Sequence, residues 1–448
     1  MKQYNLTEGP IRPRLLGYFL PIAAGTLFQQ LYNAADAVIV GKFVGTVALA
    51  AVGGSAANIV NILIGFFVAL SGGASVLIAQ VYGARNDKVL RKAVGTAVTF
   101  CVLAGAALMA VGLASARPLL RLLRTPEDTV EPAAVYLRIV FCGVIAQLLY
   151  NMEAGILRAV GDSRSPFLYL LVSCLSNVGL DLLFVVRFGW GVTGVAVATV
   201  MAQVLSMALA TVKLLRAKAS FRIDVTALGI DRPLLRRMMR VGIPAGLEQS
   251  VYSVTNTLLQ VVVNGMGTVV VAAWSLAGKL DGFYWATISA AGTSVMNFSA
   301  QNYGAGRQER VGEGLKTALV TYSVMTVFFS VLLYTLSPAL LPFFSDDADV
   351  VAVTLEMIRF FCPYYVTWTV LEMISGTLRG MGDAVGPVVI CSLSICVFRV
   401  IWLFTAFRLN PGVPMLCLCY PVSWVLADIA FILYYKRGRW KKRLVSAL

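Results

Sequence analysis

The chain contains the motif Ala79-Gln80-Val81-Tyr82-Gly83-Ala84 and, 221 residues later, the related stretch Ala300-Gln301-Asn302-Tyr303-Gly304-Ala305. A second pair keeps the same offset, because Leu157-Arg158-Ala159-Val160-Gly161-Asp162 returns as Leu378-Arg379-Gly380-Met381-Gly382-Asp383. Repeated coincidences at one spacing are the mark of an internal duplication. The sequence therefore predicts two copies of one structural unit.

The composition places these copies in a lipid bilayer. Of the 448 residues, 58% are hydrophobic and only 13% are charged, and the mean hydropathy is +0.79. Soluble domains carry about 25% charged residues, so a water-soluble fold is excluded. Apolar segments long enough to span a bilayer fall at residues 15–40, 47–80, 92–116, 133–157, 166–187, 192–212, 241–263, 268–300, 315–337, 350–378, 387–407 and 413–435.

Twelve spans divide evenly between the two copies of the duplication. We expect an all-α integral membrane protein with an N-lobe of helices 1–6 at residues 1–220 and a C-lobe of helices 7–12 at residues 221–448. Six is an even number, so both copies enter the membrane in the same sense and form parallel repeats. Transporters of this plan bind solutes in the cleft between their repeats, which makes transport the first functional hypothesis and a duplicated scaffold without transport the alternative.

The charge distribution predicts the orientation. The net charge is +15, but the Lys and Arg residues form short clusters between apolar runs and no single basic patch for nucleic acid. Most of them fall on the side that carries both chain ends, so the positive-inside rule places both termini in the cytoplasm of a multi-pass cell-membrane protein. The first apolar run continues without a short core and small-residue cleavage site, which favours a retained helix over a signal peptide.

Several kinds of chemistry are disfavoured by the residues present. The chain has no histidine, so imidazole is not available as a metal ligand, proton relay or general base. All eight cysteines lie inside apolar runs, where a thiol behaves as a small hydrophobic group. No nucleotide-binding loop or zinc-protease helix is present. We therefore expect no enzyme, no cofactor and no structural metal, and proton chemistry would rest on carboxylates.

The first copy carries ionisable and polar residues inside its spans. Such residues are costly in a bilayer, which makes each a functional candidate. Asp36 shares a helical face with Gln29 and Asn33, and Asn177 shares a face with Asp181 in the fifth span. With a hydroxyl from the sixth span they form an oxygen-rich cluster suited to Na+ or to a proton shared between two acids, and the residues alone do not choose between the ions. The candidate coupling residues are Asp36, Asn177, Asp181 and Thr199.

The second copy carries its own polar faces. The seventh span places amides and hydroxyls at helical spacing beside a glutamate, and carboxylates follow in the eighth and tenth spans. These residues are candidates for a second coupling site or for the wall of the substrate cleft. They are Glu248, Gln249, Tyr252, Asn256, Asp281 and Glu372, together with Gln29 and Asn33 from the first copy.

The repeated Gln-x-Tyr-Gly-Ala and Leu-Arg-x-x-Gly-Asp motifs resemble those of the multidrug and toxic compound extrusion (MATE) family, within the multidrug/oligosaccharidyl-lipid/polysaccharide flippase superfamily. The resemblance covers essentially the whole chain. It implies two six-helix lobes in a V shape that export small organic, often cationic compounds in exchange for H+ or Na+. A complete cleft within one chain makes a monomer in membrane lipid sufficient.

The resemblance also bears on the coupling residues. Prokaryotic members place the ion site at positions that match Asp36, Asn177, Asp181 and Thr199. Other branches couple through a Glu in helix 7, which Glu248 matches, and an Asp in helix 10, whose position falls near Trp368 here; Glu372 lies one turn later. A flippase for lipid-linked oligosaccharides is the alternative function at the level of the fold.

Overall fold

The structure is a computed structural model that describes residues 5–438, so the predicted placement of the two chain ends concerns residues outside this range. Within it the chain is helical and contains no strand. We number the long helices α1–α12 in chain order. They are α1 Ile11–Phe43, α2 Val47–Gly83, α3 Asp87–Leu122, α4 Glu127–Ala159, α5 Arg164–Arg187, α6 Gly191–Leu215, α7 Arg232–Asn264, α8 Thr268–Gly304, α9 Gln308–Phe343, α10 Ala348–Gly380, α11 Val385–Leu409 and α12 Val413–Arg437.

Each of the twelve predicted apolar segments falls on one of these helices. By length and hydropathy, nine helices of the described residues qualify as membrane spans. The other three, α1, α7 and α8, are 33, 33 and 37 residues long and contain Asp36, Glu248 and Asp281. Helices are required here because a bilayer offers the backbone no other hydrogen-bonding partners. The predicted all-α membrane class is confirmed.

The described chain forms two compact units. The first contains Gly17–Gly246, and the second contains Leu6–Leu16 together with the chain from Leu247 onward. In the first unit α4 packs against α2, α3 and α6, and in the second unit α10 packs against α8, α9 and α12. These are the fourth, second, third and sixth helices of each copy, so the duplication read from the sequence is also a duplication of packing.

The Leu-Arg-x-x-Gly-Asp motif forms the same corner in both units. Gly161 and Gly382 have φ of 89° and 99°, a backbone conformation that a side chain disfavours. Asp162 accepts hydrogen bonds from the backbone N–H and the hydroxyl of Ser165, at 3.0 and 2.6 Å. Asp383 accepts one from the backbone N–H of Gly386 at 3.1 Å. In each unit the aspartate therefore accepts a hydrogen bond from a backbone N–H in the first turn of the helix that follows.

Two helices depart locally from α-helical geometry in a way that matters for the candidate site. The fifth helix of each copy contains a π-helical segment, Leu182–Arg187 in α5 and Ser392–Val397 in α11. The first of these begins at the residue after Asp181. Such segments are common at functional sites.

Candidate functional site

Asn177 lies at the centre of a polar cluster in the first unit. In the amide orientation that satisfies its neighbours, its Nδ2 lies 3.2 Å from Asp36 Oδ1, from Asp181 Oδ2 and from the Tyr32 hydroxyl. Its Oδ1 accepts a hydrogen bond from the backbone N–H of Thr199 at 3.1 Å. The structure thus brings the four predicted coupling residues together from α1, α5 and α6.

The two carboxylates of this cluster contact each other. Asp36 lies within hydrogen-bonding reach of Asp181, and Asp181 and Asn177 are 0% and 1% exposed. Within residues 5–438, no hydrogen-bond partner reaches Asp181 Oδ1, and no Lys or Arg forms an ion pair with either acid. Two ionised carboxylates at this separation repel strongly. The pair therefore requires a shared proton or a bridging cation.

Two tyrosines complete the cluster. The hydroxyl of Tyr32 lies within hydrogen-bonding reach of Asp36 and Thr199. Tyr136 on α4 lies close enough to interact electrostatically with both acids. Sequence analysis missed both residues. Tyr32 is four residues before Asp36 and so lies on the same helical face, which is the signal that could have identified it. Tyr136 had no such signal because it approaches from another helix.

A cavity of about 170 Å³ adjoins the cluster within the first unit. Tyr32, Asn177 and Thr199 belong both to the cluster and to the wall of this cavity. Gln29 also lines it, whereas the exposed side chain of Asn33 does not. Within the described part of the chain, Arg158 is the one charged residue that lines the cavity. A change in the hydrogen bonds of the acids would therefore reshape this wall.

The candidate residues of the second unit form separate groups. Glu248 accepts hydrogen bonds from Arg379 on both oxygens at 2.9 Å, and Glu372 lies near this pair. Asp281 accepts a hydrogen bond from the Tyr365 hydroxyl. Gln249 and Asn256 are exposed, while the ring of Tyr252 meets the edge of Trp368 at 6.2 Å. The acids of this unit therefore have different partners: Glu248 and Glu372 lie beside Arg379, and Asp281 is bound to Tyr365.

The second unit also contains an aromatic cluster. Tyr284 stacks on Tyr365 with ring centroids 4.2 Å apart, and Trp368 contacts Trp285 and Trp424 at 4.9 and 5.9 Å. Edge and stacked contacts of this kind stabilise packing by ~0.5–1.5 kcal/mol each. Nothing in the spacing of the sequence identified Trp424 as a member of this cluster.

The donor groups of the first unit fit a monovalent ion better than a tightly held metal. In the part of the chain that the structure describes, no three His, Cys, Asp or Glu residues are grouped to hold a metal ion. Two carboxylates with hydroxyl and amide neighbours offer oxygen ligands only, which suit a proton or a hard cation.

Two repeated sets of six long apolar helices, with two contacting acids beside a cavity, are typical of a membrane transport protein. The MatE family matches residues 21–183 and 244–405, one match in each copy of the duplication. The chain belongs to the MatE family. This confirms the family resemblance read from the motifs and the interpretation that the protein is a transporter and not an enzyme.

The chain is similar to curated relatives and to solved structures over nearly its whole length. The probable multidrug resistance protein YoeA of Bacillus subtilis is 27% identical, over 96% of this chain and 94% of its own length. The probable multidrug resistance protein YpnP of the same organism is 27% identical over 98% of each chain. A solved outward-facing MATE family transporter of the MOP superfamily superposes with a TM-score of 0.90 at 22% identity, over 100% of this chain and 99% of that one.

Proposed function

We propose that the protein is a secondary active exporter of small organic cations, driven by H+ or Na+ that binds between Asp36 and Asp181. The observation that carries this proposal is the contact of two acids around the buried Asn177, where no Lys or Arg of residues 5–438 forms an ion pair with either acid. The names of the two Bacillus relatives support multidrug resistance as the biological role.

The acid pair supplies the coupling step. Without an ion the two charges repel, and the site is stable only while the acids stand apart or in contact with water. An ion from outside neutralises the pair and allows Asn177, Tyr32 and both acids to close together. Since Tyr32, Asn177 and Thr199 are shared with the cavity, ion binding changes the cavity wall and promotes release of the substrate.

The cavity suits an aromatic or cationic compound. Its lining includes the aromatic side chains of Tyr32, Tyr150 and Phe167, whose ring faces attract cations. Among the described residues the lining contains a single Arg and no Lys. It therefore offers little to the pyrophosphate of a lipid-linked sugar, which favours export over the flippase alternative. Its volume of about 170 Å³ is below the ~300–1,000 Å³ of drug-binding pockets, so substrate binding requires the wall to open.

Ion stoichiometry determines whether the membrane potential contributes. Exchange of one monovalent ion for one monovalent organic cation moves no net charge. The potential contributes ~2.3 kcal/mol per charge per 100 mV, and only if more positive charge enters than leaves. In this proposal the transporter acts as a monomer in the cell membrane, with both termini cytoplasmic.

Efflux in proteoliposomes tests the proposal. Ethidium efflux is measured under a Na+ gradient alone and under a pH gradient alone, for the wild type, Asp36→Asn and Asp181→Asn. The wild type should respond to at least one gradient, and each variant should lose at least ten-fold of that response. Asp346→Asn, in an exposed connection, is the matched control and should keep it.

Two results would refute the proposal. Full gradient-driven efflux in a correctly inserted Asp36→Asn protein would remove the acid pair from the coupling step. Absence of ethidium efflux in the wild type, together with translocation of a lipid-linked oligosaccharide, would replace export by the flippase function.

A further inference from the structure

The connection between α6 and α7 lies against the side of α3. The backbone N–H of Gly229 donates to the Thr99 hydroxyl, and the backbone N–H of Asp231 donates to the Thr96 hydroxyl, each at 3.1 Å. Phe221 and Ile223 are both 5% exposed and bury the start of the connection. The segment is therefore docked along its length on the first unit.

A glycine of α3 makes this approach possible. A side chain at Gly95 would place its Cβ 2.4 Å from the carbonyl oxygen of Ala227, closer than atoms pack. One turn of 3-10 helix at Val225–Ala227 brings that carbonyl against α3. Asp224 starts the turn, since it accepts hydrogen bonds from the backbone N–H and the hydroxyl of Thr226 at 3.0 and 2.6 Å.

The contacts with α3 set the depth of the segment in the membrane. Lys92 is the last charged residue of α3 before Arg117. At 1.5 Å per residue, Thr96 and Thr99 lie ~6 and ~10 Å beyond Lys92 along the helix. The polar layer on each side of a bilayer is only ~5–7 Å thick. Residues 227–231 therefore run beside the boundary between the headgroups and the acyl chains.

Apolar side chains of the segment point away from the protein at this depth. Val225, Leu228 and Ile230 are 68%, 42% and 42% exposed, whereas Phe221 and Ile223 earlier in the connection are buried. Three exposed aliphatic residues within six positions would be unfavourable in water, at ~25 cal/mol per Å² of apolar surface. They are favourable where the surrounding medium is hydrocarbon.

The charged residues around this segment are mostly basic. Residues 213–240 contain eight basic and two acidic residues. Both acids face α3, where Asp224 and Asp231 lie 3.9 Å from Arg91 and Lys92. Arg232, Arg236 and Arg240 are exposed and four residues apart, so they share one face of α7. A row of guanidinium groups next to an apolar segment matches an anionic phospholipid headgroup.

We propose that the α6–α7 connection is an interfacial lipid-binding segment, in which Val225, Leu228 and Ile230 enter the acyl layer and Arg232, Arg236 and Arg240 bind anionic phospholipid headgroups. The segment is the covalent link between the two copies of the duplication, so bound lipid would hold this link at a fixed depth. The inference does not depend on which compound or ion the protein transports.

The depth is tested by fluorescence quenching in liposomes. Cys142 is the exposed cysteine among the eight, so a Cys142→Ser background allows single labels at Val225→Cys, Leu228→Cys and, as control, the exposed Lys218→Cys. Lipids brominated in the acyl chains should quench the first two labels at least three-fold more strongly than the control, and aqueous iodide should show the reverse order. Equal iodide quenching at all three positions would overturn the proposal.

The headgroup preference is tested with spin-labelled lipids. The label at Val225→Cys should be quenched more strongly by spin-labelled phosphatidylglycerol than by spin-labelled phosphatidylcholine. Arg236→Gln/Arg240→Gln should reduce this preference by about five-fold for each charge removed, while Arg121→Gln/Arg124→Gln, at the other end of the helices, should not. Equal quenching by the two lipids in the wild type would overturn the assignment of an anionic ligand.

Discussion

Glu248 accepts hydrogen bonds from Arg379 on both carboxylate oxygens, at 2.9 Å each. This pairing makes Glu248 chemically different from the acids of the first unit. Glu248 already has a fixed positive partner, whereas Asp36 and Asp181 contact each other, an amide and a hydroxyl, and form no ion pair with a Lys or Arg among the described residues. An incoming cation gains most where no protein cation is present, which is why we place the coupling ion in the first unit.

The ion pair of the second unit should contribute to stability and not to coupling. Glu248→Gln leaves the guanidinium of Arg379 without its partner in a buried site, at a cost of up to ~3–5 kcal/mol, reduced by the nearby Glu372. The unfolding temperature in detergent should therefore fall. Efflux per folded molecule should keep its dependence on the ion gradient.

A double variant separates these two roles. Glu248→Gln/Arg379→Met removes both charges and should recover much of the lost stability, because apolar replacement of a buried pair is often neutral. If Glu248→Gln instead remained fully stable and lost its response to the gradient, the coupling ion would have to be assigned to the second unit.

Tyr32→Phe should change the affinity for the coupling ion and identify the ion. The variant removes one hydroxyl beside Asp36, and a hydrogen bond to a charged group contributes ~1.5–3 kcal/mol, which corresponds to about ten- to 150-fold in affinity. If the ion is Na+, the site loses an oxygen ligand and half-maximal efflux needs more Na+. If the ion is H+, ionised Asp36 loses a donor and half-maximal efflux occurs at a lower proton concentration.

The measurement is the ion dependence of ethidium efflux at fixed protein content. Tyr169→Phe, in the same unit and outside both the cluster and the cavity wall, is the control. An unchanged ion dependence in Tyr32→Phe would exclude this tyrosine from the site.

The helices and the acid cluster were predictable because both follow from rules that act along the chain. Twelve apolar runs can satisfy their backbone in a bilayer only as helices. Acids such as Asp36 and Asp181 are costly there, so their position within an apolar run is enough to mark them as functional candidates. The helical faces of Asn177 and Asp181 then bring the predicted residues together.

The partners of these residues depend on contacts between helices, which spacing does not encode. Tyr136 reaches the acids from α4, and Arg379 reaches Glu248 across more than a hundred residues. The docking of Gly229 on Thr99 likewise joins segments 130 residues apart. No periodicity or motif within one sequence links such distant positions, so these pairings follow only from the three-dimensional packing.

The repeated corner should show equal sensitivity in the two units. Gly161→Ala and Gly382→Ala place a side chain at φ of 89° and 99°, which costs ~1–2 kcal/mol for a residue other than glycine. Each variant should lower the unfolding temperature by a similar amount. Gly312→Ala, within α9 and with open space around its Cβ position, should increase the free energy of unfolding by ~0.5–1 kcal/mol and so raise the unfolding temperature slightly. A large difference between the two corner variants would contradict their structural equivalence.

The α6–α7 connection should remain docked on α3 in mild acid. Hydrogen bonds from the hydroxyl and the backbone of Thr226, with further help from Arg91 and Arg222, hold the pKa of Asp224 below its ordinary value. A carboxylate with a lowered pKa stabilises the docked form at every pH above its ordinary value of about 3.9, and that contribution is lost as the pH falls through the lowered value. Fluorescence of a label at Val225→Cys should therefore be constant from pH 8 to pH 5 and change only below about pH 4. Asp224→Ala should abolish the acid transition, whereas a transition near pH 6–7 in the parent protein would show that another group controls docking.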